Sequence, residues 1–460
     1  MLSSKLIVDL VSMPELGVSN FGALLQGLIR VGFEPQASRE WLERANNPLL
    51  RPQGTVDGGF LVQERVLFPD KSQWWVLFQD AETRLSSELP EAAVAHVAGF
   101  LRLATHARTP QGVREAWPFE SETWMEQLAV PSSSPHAWLE PDGPGIYRRE
   151  HASVLIRSRT TGILVDPVGL QRRLNNIHEA PGNLRPEAVD AVAITHSHAD
   201  HWHAPSFLAH LDRPELPVLV PRGGRVNLLT FQDFAATVRA CGQSVLAPAW
   251  GETVKVGDIE IDILPFYGEQ PTREGPRLQE GLRSWGNCYR INTEDFSCVL
   301  LVDSGVDPEG SMAQVLAGSC RRRGPVDVVM CCQREFQSPF FGGLNHYWAA
   351  VPFEQLRGLY HDLRQGTLKS TTAGVSGAVE ACAAAQARYF LPYANGFEGV
   401  GRVITDIGWG EGEPSEASRN ALMREEFARQ GLGTQVLDWN PGDVARLSGG
   451  QVTITRFGER

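Results

Sequence analysis

The sequence predicts an α/β protein in two parts, a smaller N-terminal α/β module and a larger domain that carries the chemistry. Three observations lead there. Short apolar runs of strand length, such as Ala191 to Ile194 and Cys298 to Val302, alternate with stretches of helical spacing, the pattern of an α/β fold. Pro131-Ser132-Ser133-Ser134-Pro135 breaks every periodicity, as an interdomain linker does. Directly after the run ending at Ile194 comes Thr195-His196-Ser197-His198-Ala199-Asp200-His201-Trp202-His203, four histidines and one aspartate in nine residues. They stand just past the carboxyl end of a buried strand, where α/β sheets place their sites. The expected division is residues 1–130 as the N-terminal module, 131–142 as linker and 143–460 as the catalytic domain.

Composition narrows the function classes. With 42% hydrophobic and 21% charged residues over 460 positions, the chain reads as globular and too long for one core. No apolar run approaches the ~20 residues that cross a bilayer, so no membrane partner is expected. A net charge of −12 argues against nucleic acid, whose phosphates need a basic surface. Arg148-Arg149, Arg172-Arg173 and Arg321-Arg322-Arg323 read as solvated faces. Seven cysteines, several within apolar strands, fit buried reduced thiols and a cytoplasmic protein.

In the N-terminal module Asn20 to Val31 and Glu91 to Ala107 have helical periodicity, while Phe60 to Phe68 and Trp74 to Phe78 look like paired strands. Its Trp74-Trp75 pair could serve a homodimer surface, though such residues are commonly core. The larger domain opens with strands Ile146 to Ile156 and Gly162 to Val165. A helix from Pro205, a strand at Leu216 to Val220 and a helix from Leu228 to Cys241 follow. Next comes a hairpin around Gly257-Asp258 that ends at Pro265-Phe266-Tyr267-Gly268-Glu269. Strands Cys298 to Val302 and Val326 to Cys331 precede helices Pro352 to Leu363, Ser376 to Arg388 and Ser415 to Gln430, with a strand at Tyr389 to Leu391 and a last one at Val452 to Arg456.

In an extended turn His196 and His198 point the same way, while Asp200 and His201 can reach a second point nearby, so one strand end could feed two metals. The His-x-His-x-Asp-His run resembles the metal motif of the metallo-β-lactamase superfamily, which implies an αββα sandwich with a dinuclear site at one sheet edge. Glu150-His151-Ala152-Ser153-Val154-Leu155-Ile156 with Gly162 to Pro167 resembles the opening hairpin of its ascorbate-lactonase-like and phospholipase-D-like branch. Val299-Leu300-Leu301-Val302-Asp303-Ser304-Gly305 is similar to the strand whose terminal Asp bridges the metals. The resemblance implies that Asp303 bridges and that Asp166 orients the ligands from behind.

The chain also departs from that pattern. Superfamily hydrolases usually add a His after the strand that here ends at Pro265, and another late in the domain. After His210 only His346 and His361 remain, both beyond Asp303, and Glu269 is offered for the first. His346 or Asn395 could fill the late position. Added carboxylate makes an imidazole site harder and more anionic, favouring iron or manganese over zinc. His196, His198, Glu269 and Asp303 would then hold one metal, and Asp200, His201 and Asp303, with His346 or Asn395, the other. The alternative for Glu269 is an exposed loop acid. With the two-part layout, this resembles the diiron β-hydroxylases of nonribosomal-peptide biosynthesis, of the chloramphenicol type. That resemblance implies an O₂-activating oxygenase with an electron donor and an amino-acid-derived, carrier-protein-bound or small-molecule substrate. The competing expectation is a zinc or manganese hydrolase of an ester, lactone, amide or phosphodiester, with Asp200 positioning the nucleophile. Glu335 is a further candidate behind the ligands, and Trp202, Tyr267 and Trp348 are candidate pocket walls.

Overall fold

A computed structural model describes most of residues 141–456, leaving out 168–182, 185–187, 224–228, 231–232, 276–282, 341–346, 348–349, 397–413 and the single positions 199, 209, 212 and 352. Ahead of residue 141 it describes 7–14, 72–79, 84–89, 94–96, 98–99 and 138–139. The expected helix at Asn20 to Val31, the strand at Phe60 to Phe68, His346 and Trp348 therefore lie outside the described residues.

In the N-terminal region β1 (Ile7–Pro14), β2 (Ser72–Gln79) and β3 (Arg84–Leu89) form an antiparallel sheet with β2 in the middle. The strand expected at Trp74 is β2, and its partners are β1 and β3. After β4 (Trp138–Leu139) come β5 (Gly145–Arg148), β6 (Val154–Arg157) and β7 (Gly162–Val165), which meander antiparallel. Next come β8 (Asn183–Leu184), paired with β4, and then β9 (Ala191–Ala193), α1 (Ala204–Leu208), β10 (Val218–Leu219), α2 (Phe234–Ala240) and β11 (Val245–Leu246). Strands β9, β10 and β11 add in parallel beyond β7.

The second half builds another sheet. β12 (Thr253–Val256), β13 (Ile259–Pro265), β14 (Asn287–Asn292) and β15 (Ser297–Leu300) are antiparallel neighbours. Past the two-residue pair β16 (Val306–Asp307) and β17 (Gly310–Ser311) the chain enters α3 (Met312–Arg323), β18 (Val328–Cys331), α4 (Phe353–Gln365), α5 (Gly374–Ala385), β19 (Tyr389–Pro392), α6 (Glu416–Arg429) and β20 (Gln435–Val436). The hairpin β21 (Val444–Ser448) and β22 (Gln451–Thr455) returns to the first sheet. The orders are β11-β10-β9-β7-β6-β5-β21-β22 and β12-β13-β14-β15-β18-β19-β20.

Strand alternation shows why these sheets stack between helices. Val154, Ile156, Ile163, Val165, Ala191 and Ala193 face one cluster together with Ile259, Ile261, Ile263, Cys298, Leu300, Val328 and Met330, the layer between the sheets. The intervening Leu155, Leu164 and Val192 face a second cluster with Phe207, Leu208, Phe234 and Val238 of α1 and α2. Val299, Leu301, Val329 and Cys331 face a third with residues of α3, α5 and α6. Both faces of each sheet are covered, which gives the αββα sandwich, with side chains at i and i+2 sharing a face. Val94 and Ala98, ahead of the expected linker, are fully buried in the α1/α2 cluster, so this part of the N-terminal region packs on the sandwich.

Some boundaries differ from the pattern. The strand expected from Ile146 to Ile156 is broken in two: Arg149 N donates to Ser153 O and Ser153 N to Glu150 O, both at 2.9 Å, and His151 adopts φ +51°. Polar Arg149-Glu150-His151 interrupts the apolar alternation there. Helix α2 starts later than Leu228, where Asp233 accepts from the Ala236 N–H as its cap. Helix α3 was not anticipated, although Ser311 caps it and Arg321 to Arg323 fill its last turn, at the dipole's negative end.

Candidate metal centre

The strand ends converge on one buried cluster. His196 and His198 follow β9, Glu269 follows β13, Asp303 follows β15, and Asp166 closes β7. Glu269 Oε2 lies 3.1 Å from His196 Nε2, and its Oε1 lies 2.8 Å from His198 Nδ1. Asp303 Oδ2 stands 3.0 Å from His201 Nε2 and 3.9 Å from His196 Nε2, between the two halves. Asp200 Oδ2 is 3.8 Å from His201 Nε2 and 3.2 Å from His151 Nε2. Three groups hold ligand atoms within 4.8 Å of one another: His196, His198 and Glu269; His196, His201 and Asp303; and His151, Asp200 and His201.

The hydrogen bonds decide which nitrogen of each ring faces inward. Thr195 Oγ1 gives its single proton to Asp166 Oδ2 at 2.5 Å, so at 3.0 Å it can only accept from His196 Nδ1–H, leaving His196 Nε2 bare. Tyr347 Oη donates to Glu269 O at 2.9 Å and accepts from His198 Nε2–H at 3.1 Å, leaving His198 Nδ1 bare. His201 Nδ1–H donates to Asp166 Oδ2 at 2.8 Å, leaving His201 Nε2 bare. Three lone pairs thus face two carboxylates. Bare His196 Nε2 and His198 Nδ1 stand 3.2 Å apart, and Glu269 Oε2 and Asp303 Oδ1 are buried without a hydrogen-bond donor among the described residues. Such an arrangement is repulsive alone and fits cations between the groups, with Asp166, Thr195 and Tyr347 orienting the rings.

The backbone is strained around the same cluster. Six described residues other than glycine have positive φ, and His151, Asp166, Glu269, Val302 and Ala394 are five of them, each in a turn or strand end bordering the site. Left-handed backbone costs a non-glycine residue about 1–2 kcal/mol, and such residues gather where function requires them. Gly268 permits the Glu269 turn: at φ +91° a Cβ there would meet Gly305 N at 2.3 Å and Thr371 O at 2.5 Å.

Residues 161–393 match the β-lactamase superfamily domain. The chain belongs to that superfamily. A UPF0173 protein of Pyrococcus abyssi is 30% identical over 126 residues, 27% of this chain and 49% of the relative, and one of Pyrococcus furiosus is 29% identical over the same length. The chain thus spans about half the length of these curated relatives. Among solved structures, CmlA, a diiron β-hydroxylase from Streptomyces venezuelae, superposes with a TM-score of 0.59 at 16% identity, covering 97% of this chain and 99% of that one. A point mutant of CmlA gives 0.57 at 16% identity, with 95% and 98% covered. At this identity the likeness is one of fold, and it includes the N-terminal region.

Within this superfamily site the ionisable groups hold one another. Burial and the neighbouring His201 push His196 below its ordinary value. Burial opposes charge on His198 and His201 too. Glu269 nevertheless lifts His198, and Asp200, Asp303 and Asp166 lift His201 well above the usual range. Against burial, His198 and His196 draw Glu269 down to about 2, and His201 and His151 draw Asp200 well below the carboxylate range. The inward lone pairs are those of the neutral rings that would bind metal, and without metal the carboxylates favour a competing proton at His198 and His201.

Other expected site residues are placed differently. Asn395 is engaged elsewhere: its Oδ1 accepts from Gln333 N at 2.8 Å and its Nδ2 donates to Glu416 Oε2 at 3.0 Å, so its side chain is turned away from the cluster. Glu335 is exposed and lies against Gly374, beside a cavity lined by Arg273, Lys369 and the first turns of α3 and α5, rather than behind the ligands. Trp202 is core, its ring 5.3 Å from Phe207 and 5.1 Å from Phe234, because the turn after His201 points it beneath the sheet. Tyr267 packs on Trp250 and under the Arg283 guanidinium. His203 turns away and accepts the Ser206 N–H at the start of α1. Sequence reasoning missed Tyr347, and it missed His151, whose place in a turn was hidden by reading one strand through it.

Proposed function

We propose that this protein is an O₂-activating diiron oxygenase that hydroxylates an amino-acid-derived, carrier-tethered substrate. The observation that carries the reading is Glu269, buried, with both carboxylate oxygens within 3.1 Å of His196 and His198. A carboxylate in that place makes the donor set harder and more negative than an imidazole-rich one, which favours iron and its ferric state. The fold likeness to a diiron β-hydroxylase over nearly the whole chain supports the same reading.

His196, His198 and Glu269 would hold one metal, Asp200 and His201 the other, with Asp303 shared. Bound iron would supply the reduction of O₂, with electrons from an external donor. The chain's own residues orient and seclude. Phe266 stacks on His196 with ring centroids 5.2 Å apart, and His196, His201, Glu269 and Asp303 are all buried, so bulk water is kept from these four while Asp200 stays partly exposed.

Metal analysis of protein purified without chelators tests the reading. Two irons per chain and the absorption of a diferric centre are expected. Glu269→Ala should lose that spectrum and raise the reduction potential, because a negative charge that stabilises ferric iron is gone. Glu269→His should shift preference toward zinc. Two zincs per chain in the wild type, or an iron spectrum unchanged in Glu269→Ala, would overturn the oxygenase and return the hydrolase, with Asp200 positioning the attacking water.

A further inference from the structure

His151 reverses the pattern of the other rings. In His196, His198 and His201 the outer nitrogen donates and the inner one is bare. At His151 the outer Nδ1 faces a donor that can only give, the peptide N–H of Gly396 at 3.1 Å. An imidazole whose Nδ1 accepts carries its proton on Nε2. That Nε2 points inward, 3.2 Å from Asp200 Oδ2 and 3.3 Å from His201 Nε2. A metal ligand needs a lone pair at this position, and His151 has a hydrogen there.

We propose that His151 is a positioning residue and not a ligand of the second metal: its Nε2–H donates to the Asp200 carboxylate and fixes how that carboxylate meets the metal. The strand end after β19 then contributes through its backbone. Ala394 at φ +57° and Gly396 at φ +90° bend the chain there, and His151 itself is held at φ +51°. Two strained turns 245 residues apart thus meet in one hydrogen bond. Among the described residues, the second metal position keeps Asp200, His201 and the shared Asp303. The proposal rests on the two-metal reading of the site but not on which metal is bound.

The test uses zinc-loaded, full-length protein with ¹⁵N-labelled histidine, in which two-bond ¹⁵N–¹H couplings assign each ring's tautomer. His151 is expected as the Nε2–H tautomer, with His196 and His201 as Nδ1–H and His198 as Nε2–H. An Nδ1–H form of His151 in a two-zinc protein overturns the proposal alone. A wild type that takes up no second zinc overturns it together with the two-metal reading. Variants give a second readout through competition with a chelator. His151→Leu should still bind two zincs at saturation, the second weakened roughly 10- to 100-fold, as loss of an orienting partner does. His151→Gln, which keeps an N–H, should recover most of that loss, whereas His201→Gln should bind one zinc. A single zinc in folded His151→Leu, or no recovery in His151→Gln, would show His151 to be a ligand.

Discussion

Asp303 is the residue on which both halves of the centre depend, since one carboxylate oxygen lies within reach of His201 and, less closely, of His196. Asp303→Ala should therefore lower metal content from two per chain to none, and full occupancy of either position in that variant would contradict the shared role. Asp166→Ala is a contrasting case. It removes the acceptor of both Thr195 and His201, so His201 loses its orientation while its lone pair remains. The expected outcome is two metals at saturation with affinity about 10- to 100-fold lower, read by chelator competition. The raised pKa values of His198 and His201 set the pH dependence. A proton on these rings, favoured by the neighbouring carboxylates, competes with metal, so affinity should rise with pH. Calorimetry in buffers of different ionisation enthalpy reads the released protons, and none released near pH 7 would contradict the assignment.

At the scale of elements, the loops beyond the strands carry strain and the strands carry burial. Among the described residues Gln386 is the one left-handed non-glycine residue away from the site, at φ +50° just past α5, and it is exposed. Its strain serves helix termination alone, for which glycine is the favoured residue. Gln386→Gly should stabilise the protein by about 0.5–1 kcal/mol, seen as a higher denaturation midpoint with unchanged slope. Ala394 offers no such gain, because its turn brings Gly396 to His151. The strands were legible because alternation of Val154, Leu155 and Ile156, or of Cys298, Val299 and Leu300, follows from two-sided burial. Where polar residues interrupted that alternation, as at Arg149 to His151, the sequence did not reveal whether the strand paused or turned.

For the molecule as a whole, the three apolar layers determine what solvent and reagents can reach. All seven cysteines are buried and none forms a disulfide; burial lifts the Cys288 thiol to about 12 and raises Cys298, Cys331, Cys332 and Cys382 further. Native protein at pH 8 should therefore resist alkylation and unfolded protein should take up seven labels, counted by mass spectrometry. Val94 and Ala98 lie in the layer under α1 and α2, so a chain starting at residue 131 should be destabilised by at least about 2 kcal/mol. Equal stability of the two chains would show that the N-terminal region packs without contributing.

The sequence by itself determined the histidine-rich stretch proposed to hold metal, the carboxylate at Glu269, the strand-end acid at Asp303 and the alternation that stacks two sheets, because these are written in neighbouring residues. Only the tertiary structure decided how each ring faces. Tyr347 sets the tautomer of His198 from 149 residues away, and Gly396 sets that of His151 from 245. Asn395, which has a ligand's chemistry, is turned instead to Gln333 and Glu416. Hydrogen-bond direction depends on which strand ends become neighbours, and that follows from sheet order rather than from any local pattern.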